Sequence, residues 1–293
     1  MEYILKNDKL QVVFSSHGGE MISIKSLENG REYLWQGNGE FWTGRAPNLF
    51  PIVGRVKEGK YTFDGVEYQI KSPHGFVRQS ELELAEKTAD SIVFRLKSNE
   101  ETRASYPFDF DYYVSYTLSG STVTVSYFVL NQTNEPMYFS LGAHPGFNLP
   151  FEADEKFEDC RIEFGGDVAP KEMLCDNCFI TGKTRDFSVK DKRIIPLRHD
   201  LFDNDAFILS DLANHVITLC SEKSEKSVTV DFTQFKYVAI WHKPFSEAPM
   251  VCIEPWNGLP SYSTGAEELT EKPAIVTLAP DETYRAEYSI TIK

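Results

Sequence analysis

An alternation of apolar and polar side chains at every second residue constrains this chain more than any other feature. In Thr122-Val123-Thr124-Val125-Ser126-Tyr127 the valines and the tyrosine point one way and the hydroxyl residues the other. The C-terminus repeats the pattern, with Tyr284, Ala286, Tyr288, Ile290 and Ile292 opposite Arg285, Glu287, Ser289, Thr291 and Lys293. Half-buried antiparallel strands read this way. Turn residues fall where hairpins need them: Asp64-Gly65 separates 60–63 from 66–70, and Ser119-Gly120 separates 112–117 from 122–130. Further strands are expected over 10–14, 21–26, 91–97, 137–141, 216–220, 227–232 and 237–242. Helix signals are confined to one or two turns within 264–270, and the polar stretches 152–159 and 167–191 read as long loops. Neither a linker nor an internal repeat breaks the strand pattern. Residues 1–293 are therefore expected to form a single all-β domain, a large antiparallel β-sandwich with few short helices.

Charge and composition narrow the function. The 293 residues carry a formal net charge of −14 with no basic run, so nucleic acid and anionic membrane surfaces are not expected partners. No stretch is apolar for long enough to span a bilayer, and residues 1–11 do not read as a signal peptide. The five cysteines are an odd number in a chain too long for a disulfide-stapled scaffold, which favours reduced thiols and a cytoplasmic setting.

Four segments break the alternation and concentrate chemistry-bearing residues. In Arg45-Ala46-Pro47-Asn48-Leu49-Phe50-Pro51, followed by Gly54-Arg55, two prolines stiffen an irregular stretch that would aim Arg45 or Arg55. A surface loop with solvated arginines is the plainer alternative. Ser72-Pro73-His74-Gly75-Phe76-Val77-Arg78 offers His74 and Arg78 to a polar ligand, with Gly75 permitting close backbone approach; an ordinary turn histidine would look the same. Gly142-Ala143-His144-Pro145-Gly146-Phe147 places His144 where a strand ends, and imidazole is suited to proton transfer near neutral pH. Finally, Val251-Cys252-Ile253-Glu254-Pro255-Trp256-Asn257-Gly258 ends a short apolar strand on Glu254, a carboxylate that burial would make more basic. The alternative there is a structural glutamate accepting backbone N–H groups.

Other features carry less. Cys175-Asp176-Asn177-Cys178 has half of a zinc-ribbon spacing without a second pair, and reads as a loop with two free thiols. His17, His199 and His215 read as core or surface histidines. Phosphate loops, nucleophile elbows and His-Glu-x-x-His helices are missing, so no cofactor or metal is expected.

Taken in order, these segments resemble the aldose 1-epimerase (galactose mutarotase) superfamily over essentially the whole chain. Arg45-x-Pro-x-Leu-Phe-Pro and His74-Gly-Phe-Val-Arg78 also resemble hexose-6-phosphate epimerases, whereas Gly-Ala-His144-Pro-Gly-Phe and Ile-Glu254-Pro-Trp-Asn-Gly are closer to the LacX-like branch. The resemblance implies a galactose mutarotase-like supersandwich with a sugar cleft on one sheet face. It implies Glu254 as the base that takes the C1 hydroxyl proton, and His144 as the acid that protonates the ring oxygen. Arg45, His74 and Arg78 would hold sugar oxygens, Asp205 or Asp203 a sugar hydroxyl, and Trp241 and Trp256 would stack on the ring. Galactose mutarotases carry a further arginine after a Gly-Arg pair; here Gly54-Arg55-Val56-Lys57-Glu58-Gly59 departs from that pattern. The site arginine is then Arg45, Arg55 or Arg78. Anomer interconversion of a hexose is the implied activity. The alternatives are a hexose-6-phosphate 1-epimerase, with the arginines as a phosphate clamp, and a non-catalytic carbohydrate-binding or sensing protein. A glycosidase would need a second carboxyl group across the bond.

Overall fold

The computed structural model describes residues 1–70 and 72–293. Two large antiparallel sheets form its body. The first has nine strands, in the order Ile194–Pro196, Cys160–Phe164, Val216–Ser221, Ser227–Asp231, Thr283–Ile292, Thr122–Asn131, Phe110–Ser119, Ser91–Lys97 and Glu83–Lys87. The second runs Phe179–Asp186, Lys171–Asp176, Phe207–Ser210, Tyr237–Trp241, Met250–Asn257, Leu141–Ala143 and Asn48–Leu49, with Gly146–Asn148 also pairing to Met250–Asn257. A three-stranded sheet, Glu2–Lys6, Leu10–Ser15 and Met21–Ser26, opens the chain.

The alternation in the sequence becomes the inner face of the nine-stranded sheet. Tyr112, Val114, Tyr116, Val125, Tyr127, Tyr288 and Ile290 are buried there, in one apolar cluster with Val238, Ile240, Val251 and Ile253 of the second sheet. That packing of alternate residues from two facing sheets is the core of a β-sandwich. Among the polar groups that enter it is Asn48. Asn48 donates to the carbonyls of Gly18 and Gly19 and accepts from the Tyr127 hydroxyl at 2.8 Å, so its amide is satisfied although buried.

Both expected hairpins form: Asp64 and Gly65 adopt positive φ between Lys60–Phe63 and Val66–Gln69, and Ser119 pairs with Thr122. Three expectations need correction. Residues 171–186 are not loop but a hairpin, Lys171–Asp176 with Phe179–Asp186, turning at Asn177 and Cys178, both at positive φ. Residues 264–270 hold only the start of a short 3₁₀ turn, Leu269–Glu271. The one α-helix among the described residues is Glu100–Ser105, held by a reciprocal cap in which Asn99 accepts from Thr102 N–H.

Candidate active site

Met250–Asn257 is buried on both faces because it lies mid-sheet under loops. Val251 and Ile253 point into the core between the sheets, so by the two-residue period Glu254 and Trp256 point outward into a cleft. Glu254 therefore sits in the middle of this strand, not at its end. Trp241 reaches the same cleft from the neighbouring strand, as does Ile208 from the next. His144 follows Leu141–Ala143, where that strand stops, as the sequence suggested. The cleft holds about 570 Å³, enough for a small sugar.

At its floor His144 Nε2 stands 3.4 Å from Glu254 Oε2, with His144 only 7% and Glu254 2% exposed. Neither His144 Nδ1 nor Glu254 Oε2 has a hydrogen-bond partner among the described residues. Trp42 stacks on the His144 imidazole at 4.7 Å and Trp241 meets it edge-on at 5.8 Å, so the ring is wedged. His74, at positive φ, approaches from the other side at 5.3 Å. Its Nδ1 accepts the Gly54 N–H at 3.2 Å, which leaves Nε2 as the protonated nitrogen.

Asp205 lines the cleft with both carboxylate oxygens engaged: the Trp241 indole N–H donates to one at 2.8 Å and the Cys178 thiol to the other at 2.9 Å. Asp203 lies nearer the rim and accepts the Phe245 N–H at 3.1 Å. Arg55 and Arg78 line the cleft; Arg45 does not. The backbone of Arg45 is instead used structurally, its N–H donating to Glu20 and its carbonyl accepting from Gly146. Trp256 is buried beside His74, a wall more than a platform. Sequence reasoning passed over Trp42, whose only signal was the Phe41-Trp42 pair just ahead of the proline-bracketed segment. It also read Cys175 and Cys178 only as two free thiols of a loop, and both line the cleft.

Burial pushes the Glu254 carboxyl well above the usual range, and Asp205 adds to the shift; Trp256 and Arg78 oppose it. His144 is pushed well below the usual imidazole value by burial, then by His74 and Arg78. Burial, Arg78, Arg55 and Lys272 lower His74 to about 3, and burial with His199 lowers His242 to about 4. Each of these folded histidines refuses a proton that the unfolded chain accepts below about 6.5, so acid favours unfolding. Glu254 acts the other way above 4.5, holding a proton that an unfolded glutamate releases. Three against one, stability is expected to fall from pH 6.5 to 4.5. The fall is up to ~1.4 kcal/mol per pH unit for each net proton. Urea midpoints across this window check it; a midpoint that stays flat or rises on acidification would contradict the assignment of neutral buried histidines.

The model of the aldose 1-epimerase family matches residues 1–291. The chain belongs to that family. It is 35% identical over 298 residues to the plasmid-encoded protein LacX of Lactococcus lactis subsp. lactis, covering 98% of each chain. Among solved structures it resembles the galactose mutarotase related enzyme from Lactobacillus acidophilus, with a TM-score of 0.94 and 34% identity over 100% of this chain and 97% of that one. A galactose mutarotase-like protein from Lactobacillus casei ATCC 334 superposes with a TM-score of 0.93 at 27% identity, each chain fully covered. A putative aldose 1-epimerase from Escherichia coli K12, at 17% identity and a TM-score of 0.77, shares the fold.

Proposed function

We propose that the chain is an aldose 1-epimerase that interconverts the α and β anomers of a hexose. The observation that carries this reading is the buried His144–Glu254 pair, 3.4 Å apart at the floor of a sugar-sized cleft. Glu254 takes the proton from the C1 hydroxyl while His144 gives one to the ring oxygen, and the C1–O5 bond breaks. The aldehyde turns about C1–C2 and recloses on its other face, with Glu254 returning its proton to the new hydroxyl and His144 recovering its own. The pair holds one proton throughout: ionic while the ring is closed, neutral while it is open. The buried site thus never changes net charge, which matters where uncompensated charge is costly. The low exposure of both groups favours the neutral form that faces the open-chain aldehyde. His74 Nε2, Asp205, Arg78 and Trp241 would hold the sugar, and Trp42 would keep the His144 ring in place.

A phosphorylated hexose is the second reading, favoured by one feature. Arg55 and Arg78 line the cleft without an ion-pair partner among the described residues, in a protein of net charge −14. Guanidinium groups free to pair suit a phosphate. The test dissolves pure α-glucose, α-galactose and α-glucose 6-phosphate with and without protein and follows the approach to anomeric equilibrium. A larger acceleration for the free sugars supports the first reading, and for the ester the second. Acceleration of none would overturn both.

A further inference from the structure

Lys272 is a buried ammonium that the proposed chemistry does not use. It follows the 3₁₀ turn Leu269–Glu271, is 6% exposed, and among the described residues has no ion-pair partner; the neighbouring carboxylate of Glu267 is paired with Lys57 at 3.5 Å. Burying a lone charge costs several kcal/mol unless hydrogen bonds compensate, and here burial lowers the amine to about 7. Its compensation is two backbone carbonyls: Lys272 Nζ donates to Val53 O at 3.1 Å and to Leu259 O. These carbonyls belong to the two loops that flank the cleft, at Gly54-Arg55 and Pro260. The loops also touch directly, Ser261 N–H donating to Arg55 O at 3.0 Å.

The Val53 carbonyl and the Gly54 N–H are the two ends of one peptide group. Lys272 holds the oxygen end, and the nitrogen end donates to His74 Nδ1 at 3.2 Å. The Gly54 carbonyl in turn accepts the His74 N–H at 2.7 Å, so the histidine is docked on this residue twice. A cation on a peptide oxygen polarises the group and strengthens its N–H as a donor.

We infer that Lys272 is a positioning residue that acts through the Val53–Gly54 peptide to fix the tautomer and orientation of His74, so that Nε2–H is presented to the sugar. This gives the buried charge a role that an apolar side chain of equal size could not fill. It also predicts where the effect is felt: on the ring nitrogen facing the cleft, not on the acid–base pair. The inference concerns His74 itself; only its kinetic consequence rests on the proposed epimerase activity.

The test uses the full chain with Lys272→Met, and with Lys272→Gln as the milder variant should the first fail to fold. Long-range ¹H–¹⁵N spectra of the sugar-free protein read the His74 tautomer whether or not the protein is an enzyme. Wild type is expected to show a single Nε2–H form at pH 6, where the Lys272 amine is charged and His74 is neutral, and the folded variant a mixture of tautomers. In anomer exchange the variant is expected to raise KM about tenfold, a 1.4 kcal/mol loss of sugar binding, with kcat within about twofold of wild type. A His74 spectrum identical to wild type in the folded variant overturns the inference, as does a loss in kcat with KM unchanged. If wild type accelerates no anomer exchange, the epimerase reading fails while the tautomer result still decides the role of Lys272.

Discussion

Glu254→Gln is expected to slow anomer exchange about 10²–10⁴-fold, the usual contribution of one placed acid–base group. Glutamine keeps the shape of the side chain and its place beside Trp256 on the same strand face, but it cannot take a proton from the C1 hydroxyl. Sugar binding should survive, because the groups proposed to hold the ring, His74, Asp205 and Arg78, lie on other elements. Stability should hold or rise, since a buried carboxyl driven toward its neutral form is replaced by a neutral isostere. The loss therefore belongs in kcat, and KM should change little. His144→Gln should give a loss of the same order, because the two groups pass one proton between them and neither works alone. Stopped-flow polarimetry on α-galactose, or on the ester should that prove the substrate, measures both. A rate constant for Glu254→Gln within about threefold of wild type would remove this carboxylate from the chemistry.

The second large effect concerns the loop that carries His74. Gly75→Ala is expected to destabilise the fold by about 3 kcal/mol or more, combining an alanine forced into the left-handed region with overpacking. Gly75 has φ +75, and a Cβ there would lie 2.3 Å from the Phe50 carbonyl oxygen, 2.6 Å from its carbon and 2.8 Å from the Pro51 nitrogen. All three are backbone atoms, so no side chain can rotate aside. The Phe50 carbonyl also accepts the Phe76 and Val77 N–H groups, at 3.1 and 3.2 Å, and yielding would strain both bonds. Gly65→Ala is the matched control. Its φ is +74 but nothing lies within 4 Å of the new Cβ, so only the conformational cost of roughly 1–2 kcal/mol applies. Urea unfolding of the two variants separates contact from conformation. Equal midpoints would mean that the approach of Gly75 to Phe50 is not tight in solution.

Legibility differed by kind of feature. The sandwich was readable because one face of each long strand is buried and the other wet, so Val123, Val125 and Tyr127 announce their face by spacing alone. The hairpin at 171–186 carried no such signal. Its outer strand, Phe179–Asp186, is mostly exposed and ends on Lys183, Arg185 and Asp186, and its turn uses Asn177-Cys178 at positive φ without the glycine that usually marks one. The helix Glu100–Ser105 is six residues long and rests on its Asn99–Thr102 cap, too short for periodicity to register. In the cleft, Glu254 and His144 stood out by residue type and neighbours, yet their approach is made by pairing strands over a hundred residues apart. Trp42 and Lys272 were invisible for a related reason. Each acts by contact with a segment distant in the chain, His144 for one and Val53 for the other.

Exchange NMR at anomeric equilibrium reads directly whether this cleft opens and recloses a sugar ring by proton transfer. The α-anomeric proton of glucose, galactose or glucose 6-phosphate is selectively inverted, and transfer to the β signal is followed as protein is added. For at least one of these sugars, the exchange rate is expected to grow in proportion to wild-type protein and to stay at the buffer rate with Glu254→Gln. Transfer at the buffer rate for all three with wild type, while the sugar still shifts the tryptophan indole signals, would contradict it and leave a sugar-binding protein on an epimerase scaffold.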